Sequence, residues 1–234
     1  MLDDIKKRVY AANLDLAASG VVIYTWGNVS EIDRKNGLVV IKPSGIDYEA
    51  MTPDDMAVVD LEGNLIESNR KPSSDTMTHL ALYKAFPQIG GICHTHSTNA
   101  VAFAQAGIPI AALGTTHADA FYGDIPCTRE LKREEVETDY EANTGDVIVE
   151  TVVSGGYEVM SIPGIIVRNH GPFAWGKDAA AAVYHAVVLE KVAEMDYKSL
   201  TLRPKSSMAH YILEKHYLRK HGPGAYYGQN PGKE

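Results

Sequence analysis

Cysteine is scarce in this 234-residue chain: Cys93 and Cys127 are the only two. Two cysteines make no disulfide framework, so a hydrophobic core has to hold the fold. Positive charge is also in short supply. Twenty-two Lys and Arg stand against 30 Asp and Glu, a formal net charge of -8. That balance argues against a general polyanion binder, whether of nucleic acid or of anionic membrane. It leaves room for a ligand with a single phosphate, which needs only a few local donors. No apolar run approaches the length of a membrane span. The opening Met1-Leu2-Asp3-Asp4 is acidic and lacks an apolar signal core, so the expectation is a soluble, cytoplasmic protein. Walker and dinucleotide-binding patterns are missing as well, and so are internal repeats, low-complexity tracts and any linker that would split the chain.

What is present is an ordinary globular composition, 45% hydrophobic and 22% charged. Leu2, Ile5, Val9, Ala12 and Leu16 mark one stripe of a helix over 2–18, ended by Gly20. Val21 to Tyr24 reads as a strand, Asp33 to Gly37 as a turn, and Leu38 to Ile41 as a short buried strand. Met56 to Leu61 and the segment from Leu65 form a further pair. A helix is expected from Asp75 to Pro87, a strand over Gly91 to His96, and a helix from Thr98 to Ala106. The middle of the chain is less regular, with an acidic surface turn or helix over Glu130 to Thr138. Gly164 to Val167 reads as a strand, Asp178 as the cap of a long helix, and Leu213 to Lys220 as a last helix. Strands and helices mix without regular alternation. The expected architecture is therefore a single α/β domain over residues 1–234, with a largely antiparallel central sheet.

The strongest local signal is His94-Thr95-His96. Side chains on a strand alternate between faces, so the two imidazoles point the same way and can grip one ion. Zinc takes His nitrogen and carboxylate oxygen, and a catalytic zinc keeps one position open. Asp75 and His170 are candidate further ligands. Taken alone, Asp75 reads as a helix cap and His170 as a hydrogen-bonded loop or core histidine. Cys93 should point away from the histidine pair and pack in the core. His79, His185, His210 and His221 have no strand partner and are expected at the surface or with satisfied hydrogen bonds. Three loops with Gly or Ser (Gly27-Asn28, Ser44-Gly45 and Ser73-Ser74) offer the backbone N–H groups and short side chains that suit a phosphate. Each loop by itself could be an ordinary turn. Lys42 could add a charge or simply be solvated.

Several blocks together are more specific. They are Thr25-Trp26-Gly27-Asn28-Val29-Ser30, Ile41-Lys42-Pro43-Ser44-Gly45, Lys71-Pro72-Ser73-Ser74-Asp75-Thr76 and Gly90-Gly91-Ile92-Cys93-His94-Thr95-His96-Ser97. They continue with Gly114-Thr115-Thr116-His117-Ala118-Asp119, His170-Gly171-Pro172-Phe173-Ala174-Trp175-Gly176-Lys177 and Ala225-Tyr226-Tyr227-Gly228-Gln229. In order and from end to end, the chain resembles the class II aldolase/epimerase family. The resemblance implies a three-layer fold with helices flanking the sheet. It implies zinc, Zn(2+), held by Asp75, His94, His96 and His170, and a sugar-phosphate substrate near Gly27, Asn28, Ser44, Gly45, Ser73 and Ser74. It also implies an acid/base pair, Asp119 and Tyr227, in a cyclic homotetramer whose neighbouring chain supplies Tyr227. His216 and Thr115 are candidates for orienting that pair. Spacing alone selects neither Asp119 nor Tyr227. Related aldolases carry Glu at the position of Asp75, so Asp favours the epimerase branch, which breaks and remakes a carbon–carbon bond of a ketopentose phosphate. The alternatives are an aldolase of the L-fuculose-1-phosphate type, a protein with a structural zinc, and a zinc hydrolase. The lack of cysteine among the ligands argues against the structural zinc.

Overall fold

The computed structural model describes residues 2–227. Among them, seven strands form one sheet in the order β4-β3-β2-β1-β5-β7-β6, and every pairing is antiparallel. The strands are β1 (Gly27–Asp33), β2 (Leu38–Ile41), β3 (Ala57–Asp60), β4 (Leu65–Glu67), β5 (Gly91–Thr95), β6 (Gly164–Ile166) and β7 (Pro172–Gly176). The helices are α1 (Leu2–Ala18), α2 (Thr76–Ala85), α3 (Thr98–Ala106), α4 (Thr115–Ala118), α5 (Arg133–Glu137), α6 (Tyr140–Ser154), α7 (Ala179–Leu202) and α8 (His210–His221). No described helix is long and apolar enough to cross a membrane.

Strand alternation assigns the layers. Val29, Val40, Val58, Cys93 and Ala174 pack with Val9 and Leu16 of α1 and with Ala182 and Ala186 of α7. Val39, Val59, Ile92, Phe173 and Trp175 face the opposite way, onto Leu80 and Tyr83 of α2 and Ile148 and Val152 of α6. A third cluster joins Phe103 of α3 to Phe121, Ile125 and Leu189. The sheet is thus covered on both faces, the three-layer α/β arrangement the resemblance implied. At its centre, the Glu31 carboxylate on β1 accepts from Arg8 Nε of α1 at 2.9 Å and from the Ala179 N–H at the start of α7 at 3.1 Å. One buried group therefore anchors both helices of that layer.

Most expected elements are found, with three corrections. Val21 to Tyr24 is not a strand: Ile23 makes a single bridge to Trp26, and Tyr24 adopts a left-handed conformation at φ +50°. The chain turns there and pairs only from Gly27. The strand that follows, β1, has all seven positions buried, so its polar residues show no alternation to read. The second correction is α6, a 15-residue helix in the supposedly irregular middle. Its Val, Thr and Gly residues are poor helix formers, and packing on α2 overrides them. Gly145 makes that packing possible: a Cβ there would lie 2.5 Å from Ala81 Cβ and 3.1 Å from the Thr78 carbonyl oxygen. The third is β7, which begins with Pro172 at the one strand position that needs no N–H. Asp178 caps α7 as expected, accepting from the Ala181 N–H at 2.8 Å.

Candidate metal centre

The middle of the sheet brings three segments to one point. In the antiparallel register, Asn28 of β1 faces His94 of β5, and His94 faces Phe173 of β7. His96 follows directly from β5. His170 sits in the turn before β7, where Asn169 takes a left-handed φ of +61°. Gly171 lets that turn lie against the end of β5, because a Cβ there would come within 2.7 Å of the Thr95 carbonyl oxygen. The ring centroids are 5.0 Å apart for His94 and His96, 4.7 Å for His94 and His170, and 5.1 Å for His96 and His170. One nitrogen from each ring falls within 4.8 Å of the others.

His94 is the fixed member of the three. Its ring stacks on Phe173 at 4.1 Å, and its Nδ1 donates to the Pro172 carbonyl at 2.9 Å. That bond sets the tautomer, leaving a lone pair on Nε2. Nε2 is buried without a hydrogen-bond partner among the described residues, and Asp75 Oδ2 lies 4.0 Å from it. Burial, reinforced by the neighbouring imidazole of His94, holds His170 down to about 3 and lowers His96. A lowered value favours the neutral ring in both, the form that binds a metal. Burial by itself would raise the Asp75 carboxyl, but His94, His79 and the Asn28 amide hold it below the usual carboxylate range. Asp75 occupies the N-cap position of α2 yet makes no capping bond. Its Oδ2 instead accepts from Asn28 Nδ2 at 2.6 Å. Three lone pairs and a carboxylate facing one another fit a divalent cation.

These groups line a cleft of about 520 Å³ that also includes Gly27, Asn28, Ser44, Gly45, Ser73 and Ser74. All ten residues expected to hold metal or phosphate therefore meet in one place. The two Ser-bearing loops are tied together by Ser44 N–H to the Lys71 carbonyl and Ser73 N–H to the Lys42 carbonyl, both 3.0 Å. Gly27 is required where it stands, since a Cβ would lie 2.7 Å from Val22 Cγ1. Lys42 is buried rather than solvated. Its ammonium donates to the Ile46 carbonyl at 3.1 Å and sits 4.8 Å over the Tyr48 ring, and burial lowers it to about 8.

Tyr140 and Glu141, in the first turn of α6, complete the cleft wall and were not among the expected residues. The Tyr140 hydroxyl is 3.4 Å from His170 Nδ1. Only recognition of α6 as a helix packed on α2 would have placed them. His79, expected at the surface or satisfied, is fully buried with Nε2 unpartnered.

Asp119 and Tyr227 stand together, but not in this cleft. Asp119 ends α4, and its carboxylate accepts from Arg219 at 2.9 and 3.0 Å, with His216 Nδ1 at 3.1 Å and Lys220 Nζ at 3.3 Å. Burial would raise this carboxyl too, and Arg219, His216 and Lys220 together lower it. The Tyr227 ring lies under the same two cations, 4.6 Å from Arg219 and 4.5 Å from Lys220. The Thr115 carbonyl accepts from the Asp119 N–H at 3.0 Å. Gly228 and Gln229 of the tail block lie outside the described residues.

Known proteins resemble this chain over most of its length. The family described as Class II Aldolase and Adducin N-terminal domain matches residues 7–197. Proteins named L-ribulose-5-phosphate 4-epimerase UlaF, from Salmonella paratyphi C (strain RKS4594) and Salmonella choleraesuis (strain SC-B67), are 57% identical over 229 residues, covering 97% of this chain and 100% of theirs. Among solved structures, an L-fuculose 1-phosphate aldolase superposes with a TM-score of 0.76 at 24% identity, covering 91% of this chain and 94% of its own. The corresponding aldolase from Glaciozyma antarctica PI12 gives 0.76 at 24%, over 92% and 80%. The chain belongs to the class II aldolase and adducin N-terminal domain family.

Proposed function

We propose that the whole chain, 1–234, acts as one catalytic domain that interconverts L-ribulose 5-phosphate and D-xylulose 5-phosphate by breaking and remaking the bond between carbons 3 and 4. The observation that carries this reading is the placement of the imidazole cluster and the Ser- and Gly-bearing loops around one cleft. The near full-length relatives named as epimerases select the substrate. His94, His96, His170 and Asp75 would hold a divalent cation, with zinc suited to this nitrogen and oxygen donor set. When bound, the cation supplies Lewis acidity that stabilises negative charge developing at the keto end of the sugar.

The chain's own groups do the rest. Backbone N–H groups at Gly45 and Ser74, with the side chains of Asn28, Ser44 and Ser73, grip the phosphate, and Gly27 lets it approach the backbone closely. That grip keeps the two-carbon aldehyde in place after the bond breaks, so it can turn its other face before recombining. Inversion needs one proton acceptor and one donor on opposite sides of carbon 4. Asp119 and Tyr227 fill these roles from a neighbouring chain, because α4 and α8 hold both outside the cleft of their own chain. A cyclic homotetramer brings each such cluster to the next chain's cleft. The direct test incubates metal-loaded protein with L-ribulose 5-phosphate and follows products by NMR. D-xylulose 5-phosphate is expected; dihydroxyacetone and glycolaldehyde phosphate accumulating without the epimer would identify a fragment-releasing aldolase instead.

Lys42 gives this site a pH signature. Burial lowers its ammonium to about 8, so the positive charge beside the phosphate loops fades above that pH. The KM for the sugar phosphate is expected to rise through a midpoint near 8 or somewhat above it, since bound phosphate favours the charged form. Stability moves the other way. The unfolded chain binds the Lys42 proton more tightly, so this lysine's contribution to stability grows between pH 8 and its ordinary value of 10.5. A KM independent of pH from 7 to 9.5 would remove Lys42 from substrate binding.

A further inference from the structure

His79 lies one turn beyond Asp75 along α2, fully buried, with its ring edge-on to Phe173 at 6.0 Å. The proposed reaction makes no use of it, but the hydrogen bonds around it have a direction. A phenol is the stronger donor of two hydroxyls, and an imidazole nitrogen is the stronger acceptor. The phenol proton then goes to the Ser30 hydroxyl, 2.8 Å away. Ser30 sends its own proton to His79 Nδ1 at 2.7 Å. A neutral imidazole carries one proton, which this chain of bonds leaves on Nε2. That N–H is buried without an acceptor among the described residues. Buried donors are rarely left unmade, so an orphan of this kind marks a partner that moves into place.

Asp75 is that partner. The two residues are four apart at the start of one helix and so share a face. Their backbones are joined by the His79 N–H to the Asp75 carbonyl at 3.1 Å, and their side chains interact electrostatically. Asn28 already occupies Oδ2 of the carboxylate at 2.6 Å. We propose that His79 is a positioning residue that donates its Nε2–H to the Asp75 carboxylate and thereby fixes the oxygen offered to the cation. Its orientation is set by the hydroxyls of Ser30 and Tyr83. The inference rests on the metal reading of the cleft.

Two substitutions separate the ring's two nitrogens. His79→Asn places an amide oxygen where Nδ1 was, keeping the bond from Ser30 and deleting the distal donor. His79→Gln carries an N–H to the Nε2 position and gives up the Ser30 bond. Metal-free protein is titrated with Co2+, with affinity read by chelator competition and geometry by the visible spectrum. His79→Asn is expected to weaken Co2+ binding by about 10–100-fold and shift the spectrum, while His79→Gln stays within about threefold of the parent. The proposal is overturned if His79→Asn binds Co2+ as the parent does with an unchanged spectrum. It is equally overturned if both variants weaken alike, which is the mark of a packing effect. A parent protein that binds no Co2+ would overturn the metal reading itself.

Discussion

Replacing His96 with asparagine is expected to lower epimerase turnover by about three to four orders of magnitude, from the loss of about 5 kcal/mol of charge stabilisation at the keto end. The variant should also purify with almost no bound metal. His96 suits this experiment because it lies just past the end of β5 and is only partly buried, whereas His94 is stacked on Phe173 in the core. The metal-free forms of parent and variant should unfold at nearly the same temperature, which separates loss of the ion from loss of the fold. Metal content by atomic absorption and a turnover assay on L-ribulose 5-phosphate decide the matter. A His96→Asn protein that turns over at near-parental rate would remove the cation from the reaction.

Tyr227→Phe and Asp119→Asn are each expected to reduce turnover by about 10²–10⁴ while the metal stays bound. Tyr227→Phe is the cleaner probe, since it leaves Arg219 and Lys220 paired with Asp119. Asp119→Asn also removes the charge that gathers the last turn of α8. The sharper result comes from mixing. If each cleft draws Tyr227 from the next chain, His96→Asn and Tyr227→Phe chains complement one another. A cleft regains activity when a Tyr227→Phe chain supplies the ligands and a His96→Asn chain supplies the tyrosine. Co-expressed in equal amounts, two inactive proteins should then recover about one quarter of the parental activity, the fraction of interfaces with that pairing in a random cyclic assembly. A mixture as inactive as its parents would place Tyr227 outside the neighbour's cleft.

How far the site could be read from the chain depended on residue type. His94 and His96 are conspicuous because two imidazoles at strand spacing have few other uses, and the register with Asn28 and Phe173 explains why they converge. The cleft loops were visible as Gly and Ser clusters, although only the fold shows that Ser44 and Ser73 are tied to one another's neighbours. Asp119 and Tyr227 carry no local signal, because their surroundings are made by α8, 100 residues away from α4 for the Asp119–Arg219 pair. The missed elements share a cause. β1 is polar in sequence yet buried on both faces, with Ser30 and Glu31 satisfied by partners from α2, α1 and α7. The helix α6 contradicts its own propensities and owes its place to α2. Tertiary partners decide such segments, and no window of local sequence contains them.

Glu31 shows how far the cleft depends on residues that never touch it. Its carboxylate joins Arg8 and the start of α7 to the same strand that carries Asn28, three positions away. Loosening that knot would let the strand drift under the amide that steadies Asp75. A random search for inactive variants should therefore return Glu31 and Arg8 beside the histidines. Their defect would look like poor metal or sugar affinity, although its origin is mechanical slack on the far side of the sheet.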